Sequence, residues 1–185
     1  MKTPLKNITT IQTGIFAKPE LGGDIVYLQA KHFFENGTIS SSLHPDLKLE
    51  DIGSRHLLQP GDVLFAAKGS KNFAAVYESH NPPAVASTSF FVLRFVQSQL
   101  LPEYLAWFLN NPSTQVLLKG QAIGTSMPSI SKQVLENVEI PLPDLETQKV
   151  ILEISKLRAK EKALKQEIET LREKQIQQQI INALK

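Results

Sequence analysis

Five consecutive residues, Lys68-Gly69-Ser70-Lys71-Asn72, hold two ammonium groups, a glycine, a hydroxyl and a carboxamide. These are the groups with which proteins contact a duplex. Cations and backbone amides neutralise phosphates, while hydroxyls and amides read base edges. Lys68 and Lys71 suit phosphate, Gly69 permits close backbone approach, Ser70 offers a hydroxyl, and Asn72 suits bidentate pairing with an adenine edge. Gly124-Thr125-Ser126 offers two further hydroxyls, at Thr125 and Ser126, and the pair Lys31-His32 follows an apolar run. Each feature has a plainer alternative: a solvated hairpin loop, a glycine that only shapes a turn, and a solvated basic pair.

No other constellation points to chemistry. His32, His44, His56 and His80 are dispersed without metal-ligand spacing, and the absence of cysteine removes disulfides, thiolate ligands and a thiol nucleophile. There is no G-x-S-x-G elbow and no Walker loop, and Gly69-Ser70-Lys71 lacks the upstream glycine of a phosphate cradle. The expectation is no catalytic residue, no metal and no cofactor. Asn81-Pro82-Pro83-Ala84 looks like the Asn-Pro-Pro-aromatic tetrapeptide of DNA amino-methyltransferases, whose aromatic stacks on an extruded base. Here Ala84 replaces the aromatic, Tyr77-Glu78-Ser79-His80 is a poor buried strand, and no glycine-rich loop precedes it. A proline turn is expected, with a methyltransferase fragment as the remote alternative. Trp107 and Phe108 lie in a helical apolar stripe, so they are assigned to the core rather than to base stacking.

The elements that position these residues are short. Ile25–Leu28 is a compact apolar run, Asn36-Gly37 signals a tight turn, and residues 41–56 read as polar loop. Gln59-Pro60-Gly61-Asp62 turns into Val63-Leu64-Phe65-Ala66, an expected buried strand, and 73–77 forms the next apolar run. A core strand is expected within 84–95. Pro102 opens a helix that Asn110-Asn111-Pro112 stops. Ser113 is expected to cap a second helix ending at Gly120. Ser131 starts a short third helix, and Val138–Ile140 is a closing strand. Strands first and helices later predict an α+β fold, a mixed globular domain over 1–143.

Residues 144–185 then contain neither proline nor glycine and consist mostly of Glu, Lys, Gln, Leu, Ile and Arg. This predicts one helix of roughly 60 Å. Val150, Ile154, Leu157, Leu164, Ile168 and Leu171 recur at alternating steps of three and four, the seam of a coiled coil. Glu161 interrupts that seam. Beyond Leu171 the register slips towards Ile176, Ile180 and Leu184. Flanking charges (Lys156, Lys160, Glu167, Glu169, Lys174) favour an exposed helix pairing along a narrow stripe over one folded back on its own domain.

Charge does not announce a partner. Residues 1–143 carry 11 of the 20 Lys+Arg and 11 of the 18 Asp+Glu, so any anion-binding face must be local. The amino terminus lacks the apolar run of a signal peptide and no window approaches a membrane span, so a cytoplasmic protein is the default expectation.

Three patterns in order carry a family likeness. They are Pro60-Gly61-Asp62-Val63-Leu64-Phe65 running into Lys68-Gly69-Ser70; Ser87-Thr88-Ser89-Phe90-Phe91-Val92-Leu93-Arg94; and Gly124-Thr125-Ser126-Met127-Pro128-Ser129-Ile130-Ser131. The last leads into Leu135 through Pro143 and Leu145-Glu146-Thr147-Gln148. Across essentially the whole chain this ensemble resembles the DNA-specificity (S) subunit of type I restriction–modification systems. The resemblance implies a target-recognition domain that reads half of a split sequence in double-stranded DNA, and a helix that spaces the domains and docks methyltransferase (M) subunits. It also implies no activity of its own: M subunits supply adenosylmethionine and methylation, and restriction (R) subunits, joining through the assembled complex, supply ATP-driven cleavage. Under this likeness the DNA-binding candidates are Lys31, Lys68, Gly69, Ser70, Lys71, Asn72, Thr125 and Ser126. Family members usually carry two recognition domains and two long helices, whereas each motif occurs once here. The chain is therefore expected to be a half-length subunit, a truncated gene product or an engineered fragment, and to form a homodimer through the six seam residues, reading a palindromic bipartite site. The competing expectation is a structural or regulatory coiled-coil module that binds protein.

Overall fold

The computed structural model describes residues 2–20, 22–34, 37–40, 42–69, 71–96, 99–124 and 128–184. Among these described residues, eight strands and four α-helices follow one another in the order β1 (Lys2–Pro4), β2 (Thr9–Thr13), β3 (Val26–Leu28), β4 (Val63–Ala66), β5 (Ala74–Val76), β6 (Ala84–Ala86), β7 (Phe90–Phe95), α1 (Pro102–Asn110), α2 (Pro112–Gly120), α3 (Lys132–Glu136), β8 (Glu139–Pro141) and α4 (Leu145–Ala183). Short 3-10 turns occupy Ala30–His32, Leu49–Asp51 and Ser54–His56 within the stretch between β3 and β4. The fold is α+β with a long carboxy-terminal helix. It divides into two compact units, Met1–Leu145 and Glu146–Lys185.

The frame of the first unit is an antiparallel sheet in the order β2-β7-β4-β5. β4 lies inside it, with Val63 opposite both Leu93 and Val76. All four of its residues are buried, which accounts for its unbroken apolar run: a strand covered on both faces has no polar alternation. Successive side chains point to opposite faces. Leu64, Ala66, Phe90 and Val92 join Val26, Leu28, Ala84 and Ala86 of a parallel β3–β6 pair in one core cluster, while α1 packs on β5 and β4. A two-stranded β1–β8 ribbon, with Thr3 opposite Ile140, ties the first residues to the last strand of the unit.

Asp62 explains the Pro-Gly-Asp turn. It is 2% exposed, and its carboxylate accepts the Gln59 backbone N–H at 2.8 Å. It also accepts two hydrogen bonds from Arg94, from Nε at 2.8 Å and from Nη2 at 2.7 Å. The guanidinium donates further to the Leu57 carbonyl at 2.9 Å. Hydrogen bonding to Asp62 pushes the Arg94 pKa up. Two of the family patterns, the one around Pro60-Gly61-Asp62 and the one ending at Arg94, thus meet in a bidentate ion pair that pins the turn before β4 to β7.

The core strand expected within 84–95 is β7, and a second strand, β6, precedes it across a Ser87-Thr88-Ser89 turn in which the Phe90 N–H bonds the Ser87 carbonyl at 3.0 Å. One expectation needs correction. The cap of the second helix is Asn111, whose Oδ1 accepts the Ser113 N–H at 3.1 Å. Pro112 fits the first helical position, where the missing N–H costs nothing. Ser131 caps α3 as expected, accepting the Val134 N–H at 3.2 Å. Gly37 of the expected Asn36-Gly37 turn has φ +81, and Asn36 lies outside the described residues.

α4 comprises 39 residues, about 58 Å at 1.5 Å per residue. Along it run the ion pairs Glu146–Lys149, Glu153–Lys156, Glu161–Lys165 and Glu169–Arg172, each worth a few tenths of a kcal/mol. Among the described residues no helix is long and apolar enough to cross a membrane.

Candidate nucleic-acid interface

The segment after β4 is held by backbone. The Ala67 N–H donates to the Ser89 carbonyl at 2.9 Å, and the Ile130 N–H to the Ala67 carbonyl at 2.9 Å. The Gly69 N–H reaches the Pro128 carbonyl at 3.0 Å, and Lys68 bridges Ser129 in antiparallel fashion. Ser129 in turn exchanges two hydrogen bonds with Ile123, at 2.9 and 3.0 Å. The two glycine-containing loops singled out from the sequence are therefore stitched together, although some fifty residues separate them. Gly69 has φ +102, a conformation that side-chain-bearing residues rarely adopt.

Lys68, Gly69, Lys71 and Asn72 line an open concavity of about 610 Å³ with Ala30, Phe33, Phe34, Phe73 and Lys119. Its aromatic side is anchored in the core: Phe33 packs against Phe73 and Phe90 with ring centroids 5.2 and 5.0 Å away. Phe34 is 59% exposed. Among the described residues of the lining, the charged ones are Lys68, Lys71 and Lys119. Asn72 has a second task, because its Nδ2 donates to the Ala66 carbonyl at 2.8 Å. A pairing with an adenine edge would use its other amide hydrogen and Oδ1.

Of the sequence candidates, Lys68, Gly69, Lys71 and Asn72 thus share one surface. Ser70, Thr125 and Ser126 lie outside the described residues. Lys31 is exposed on the 3-10 turn beside Ala30 of the lining. His32 helps cap that turn, its Nδ1 accepting the Gln29 N–H at 3.2 Å, and burial followed by the nearby Lys31 charge lowers its pKa. Sequence reasoning does not find Lys119: a lysine in the last turn of a helix has an ordinary explanation in the helix dipole, and nothing local says that α2 ends beside the segment after β4.

The decoys take structural roles. Asn81 Oδ1 accepts the Glu78 N–H at 2.8 Å, and the Tyr77 hydroxyl donates to the Pro82 carbonyl at 2.5 Å, which makes Asn81-Pro82-Pro83 a closed turn. Trp107 is half-buried and stacks on Tyr104 at 5.4 Å within α1. Among the described residues no group of three or more His, Asp or Glu side chains has a metal-holding arrangement.

On α4, the seam residues Val150, Ile154, Leu157, Leu164, Ile168 and Leu171 are 49–63% exposed. Ile176, Ile180 and Leu184 on the drifted face are exposed as well.

Comparison with known proteins places this architecture. Over 113 residues the chain is 31% identical to the putative type I restriction enzyme MjaX specificity subunit of Methanocaldococcus jannaschii, covering 59% of this chain and 26% of that one. Its fold is similar to that of the HsdS subunit from Thermoanaerobacter tengcongensis (TM-score 0.66, 22% identity, 90% of this chain and 39% of that one). It is also similar to the type I restriction–modification S subunit from M. genitalium (TM-score 0.59, 16% identity, 85% and 38%). The chain spans well under half the length of each. Residues 4–172 match the family described as type I restriction modification DNA specificity domain, and the chain belongs to that family.

Proposed function

We propose that the chain is the sequence-reading, non-catalytic subunit of a type I restriction–modification complex, with residues 1–143 as its DNA target-recognition domain and 144–185 as its spacer and assembly helix. The observation that carries the reading is the gathering of Lys68, Lys71 and Lys119 around one concavity whose wall joins both glycine-containing loops. A cleft whose described charged residues are all lysines can concentrate a polyanion even where net charge is only +2. Lys31, Ser70, Thr125 and Ser126 complete the proposed contact set. The working complex also contains M subunits docked on the helix and, through them, R subunits.

The exposed seam supports a homodimer, and its charges favour one register. Antiparallel pairing about a point between Lys162 and Ala163 sets Ile154 against Leu171, Leu157 against Ile168 and Glu161 against Leu164. The same alignment brings Glu153 near Lys174 and Lys160 near Glu167 of the second copy, so opposite charges flank the core. Parallel pairing would instead bury Glu161 against Glu161. Two recognition domains related by this two-fold axis would read a palindromic bipartite target. The helix length of about 58 Å compares with 34–36 Å per duplex turn.

Two experiments test the DNA-reading role. Co-purification with the M subunit followed by mapping of methylated adenines should reveal a split palindrome, and methylation without sequence preference would refute it. In the Lys71→Ala variant, affinity should fall for all sequences and the salt slope should become shallower by about 1. For the helix, the chain lacks cysteine, so disulfide formation by designed pairs is unambiguous. Leu157→Cys with Ile168→Cys should link two chains readily, whereas Leu157→Cys alone should not. Efficient linkage of the single variant would favour parallel pairing. The second reading, a protein-binding coiled-coil module, requires the seam without duplex binding.

A further inference from the structure

A second concavity, of about 650 Å³, lies on the other side of the β3–β6 pair's core cluster and takes no part in the site above. Its lining includes Phe16, Lys18, Glu20, Lys48, Arg55 and His56. Among the described residues, Lys18, Lys48 and Arg55 form no ion pair. The Arg55 Nε donates to His56 Nε2 at 3.1 Å, which orients the guanidinium without neutralising it. Among the described residues Glu20 is the acid of the lining. Three cations thus line one hollow, and among the described residues no carboxylate is paired with any of them. Phe16 is 78% exposed at its rim.

Topology relates the two concavities. β2 ends with Thr13 opposite Phe91, and β4 ends with Ala66 opposite Phe90, so the segments that follow leave the sheet at the same end. There the Gly14 N–H bonds the Phe90 carbonyl at 3.0 Å and the Ala67 N–H bonds the Ser89 carbonyl at 2.9 Å. β3 also finishes there, since the Ser87 N–H donates to the Leu28 carbonyl at 2.9 Å. Phe16 and Lys18 follow β2, Lys31 and Phe34 follow β3, and Lys68 and Lys71 follow β4. One end of the sheet thus gathers Lys18 and the exposed Phe16 of the second concavity with Lys31, Lys68, Lys71 and the exposed Phe34 of the first.

We propose that the Arg55 concavity is a second nucleic-acid contact, in which Lys18, Lys48 and Arg55 hold backbone phosphates of the duplex whose other phosphates lie on Lys68, Lys71 and Lys119, while Phe16 packs against a sugar or a partly unstacked base. It rests on the DNA-reading function proposed above and adds a site to it. Arg55 supplies the planar fork that matches two phosphate oxygens, and the lysines act as point charges. An exposed ring next to such cations is the combination that backbone-tracking surfaces use, because a ring stacks on any base.

The test uses the full-length chain and a labelled duplex of mixed sequence, with affinity measured across a salt series. The variant Lys18→Gln/Lys48→Gln/Arg55→Gln should bind more weakly, with a salt slope shallower by roughly 2–3, at about 0.9 for each phosphate no longer neutralised. Arg55→Lys should recover part of the slope, and Phe16→Ala should weaken binding at an unchanged slope. All four positions are exposed, and Trp107 fluorescence checks that the globular unit stays folded. A wild-type slope in the triple variant, with a reduced slope in Lys68→Gln/Lys71→Gln, would overturn this proposal and leave the first interface standing. Wild-type slopes in both would overturn both. Loss of slope in the Arg55 set alone would support the second site and remove the first.

Discussion

Asp62→Ala gives the sharpest test of how the globular unit is held together. The substitution deletes the acceptor of three hydrogen bonds, from Gln59 N at 2.8 Å and from Arg94 Nε and Nη2 at 2.8 and 2.7 Å. Breaking a buried ion pair by removing one partner costs about 3–5 kcal/mol. Arg94 is 24% exposed at the side chain and retains the Leu57 carbonyl, so water and that bond recover part of the loss. The expected destabilisation is therefore near the lower bound, about 3 kcal/mol, or a melting temperature lower by roughly 6–12 °C at 2–4 °C per kcal/mol. Trp107 is the only tryptophan and lies in α1, so its fluorescence follows this unit without a signal from α4. Asp62→Ala/Arg94→Met should lose less than the sum of the single variants, because the uncompensated guanidinium is gone. A loss under about 1 kcal/mol in Asp62→Ala, or strict additivity in the double variant, would refute the argument that this pair fastens the β4 turn to β7.

Three further outcomes follow from the same structure. Gly14→Ala should destabilise the unit by several kcal/mol in denaturant unfolding, because an added Cβ would sit 2.1 Å from the Ser87 carbonyl oxygen and 2.5 Å from that of Ala86. Ile168→Asp should leave the Trp107 signal intact and shift sedimentation to monomer, since it sets a carboxylate against Leu157 in the proposed seam. His32 is held below the ordinary histidine range by burial, so on acidification the unfolded chain binds its proton first. Stability should then decline as pH falls through that range and level off below the folded-state pKa, and His32→Gln should flatten the decline in a pH series of melting curves.

Much of the sheet's centre is legible in the sequence because β4 is covered on both faces and so reads as an uninterrupted apolar run after a Pro-Gly turn. The helices are legible from punctuation: Pro102, Asn111-Pro112, Gly120 and Ser131 mark their limits with backbone chemistry alone. β2 is not, since Thr9-Thr10-Ile11-Gln12-Thr13 has one strong apolar residue, and the burial of Thr9 depends on Leu5, whose carbonyl accepts its hydroxyl at 2.9 Å. The β3–β6 pairing joins Val26 to Ala84 across the chain, and no local pattern encodes such a partner. The same holds for the site. The composition of Lys68–Asn72 carries the phosphate and base-edge contacts proposed for it, but the approach of Lys119 and of the 128–130 segment is a product of tertiary packing. Arg94 stands within one of the family patterns, yet its role becomes apparent only beside Asp62.

The stitching of residues 67–69 to 128–130 has a consequence for altering the DNA reading proposed for this chain. A donor loop grafted at 68–72 alone would arrive without its matching 128–130 segment, which holds Gly69 and Ala67, and would splay. The smallest transferable cassette is discontinuous: both glycine-containing loops, with the Ile123–Ser129 clasp that closes the second. Exchange between related chains should therefore succeed when both loops come from the same parent, and fail when a single crossover between β4 and Ile130 separates them.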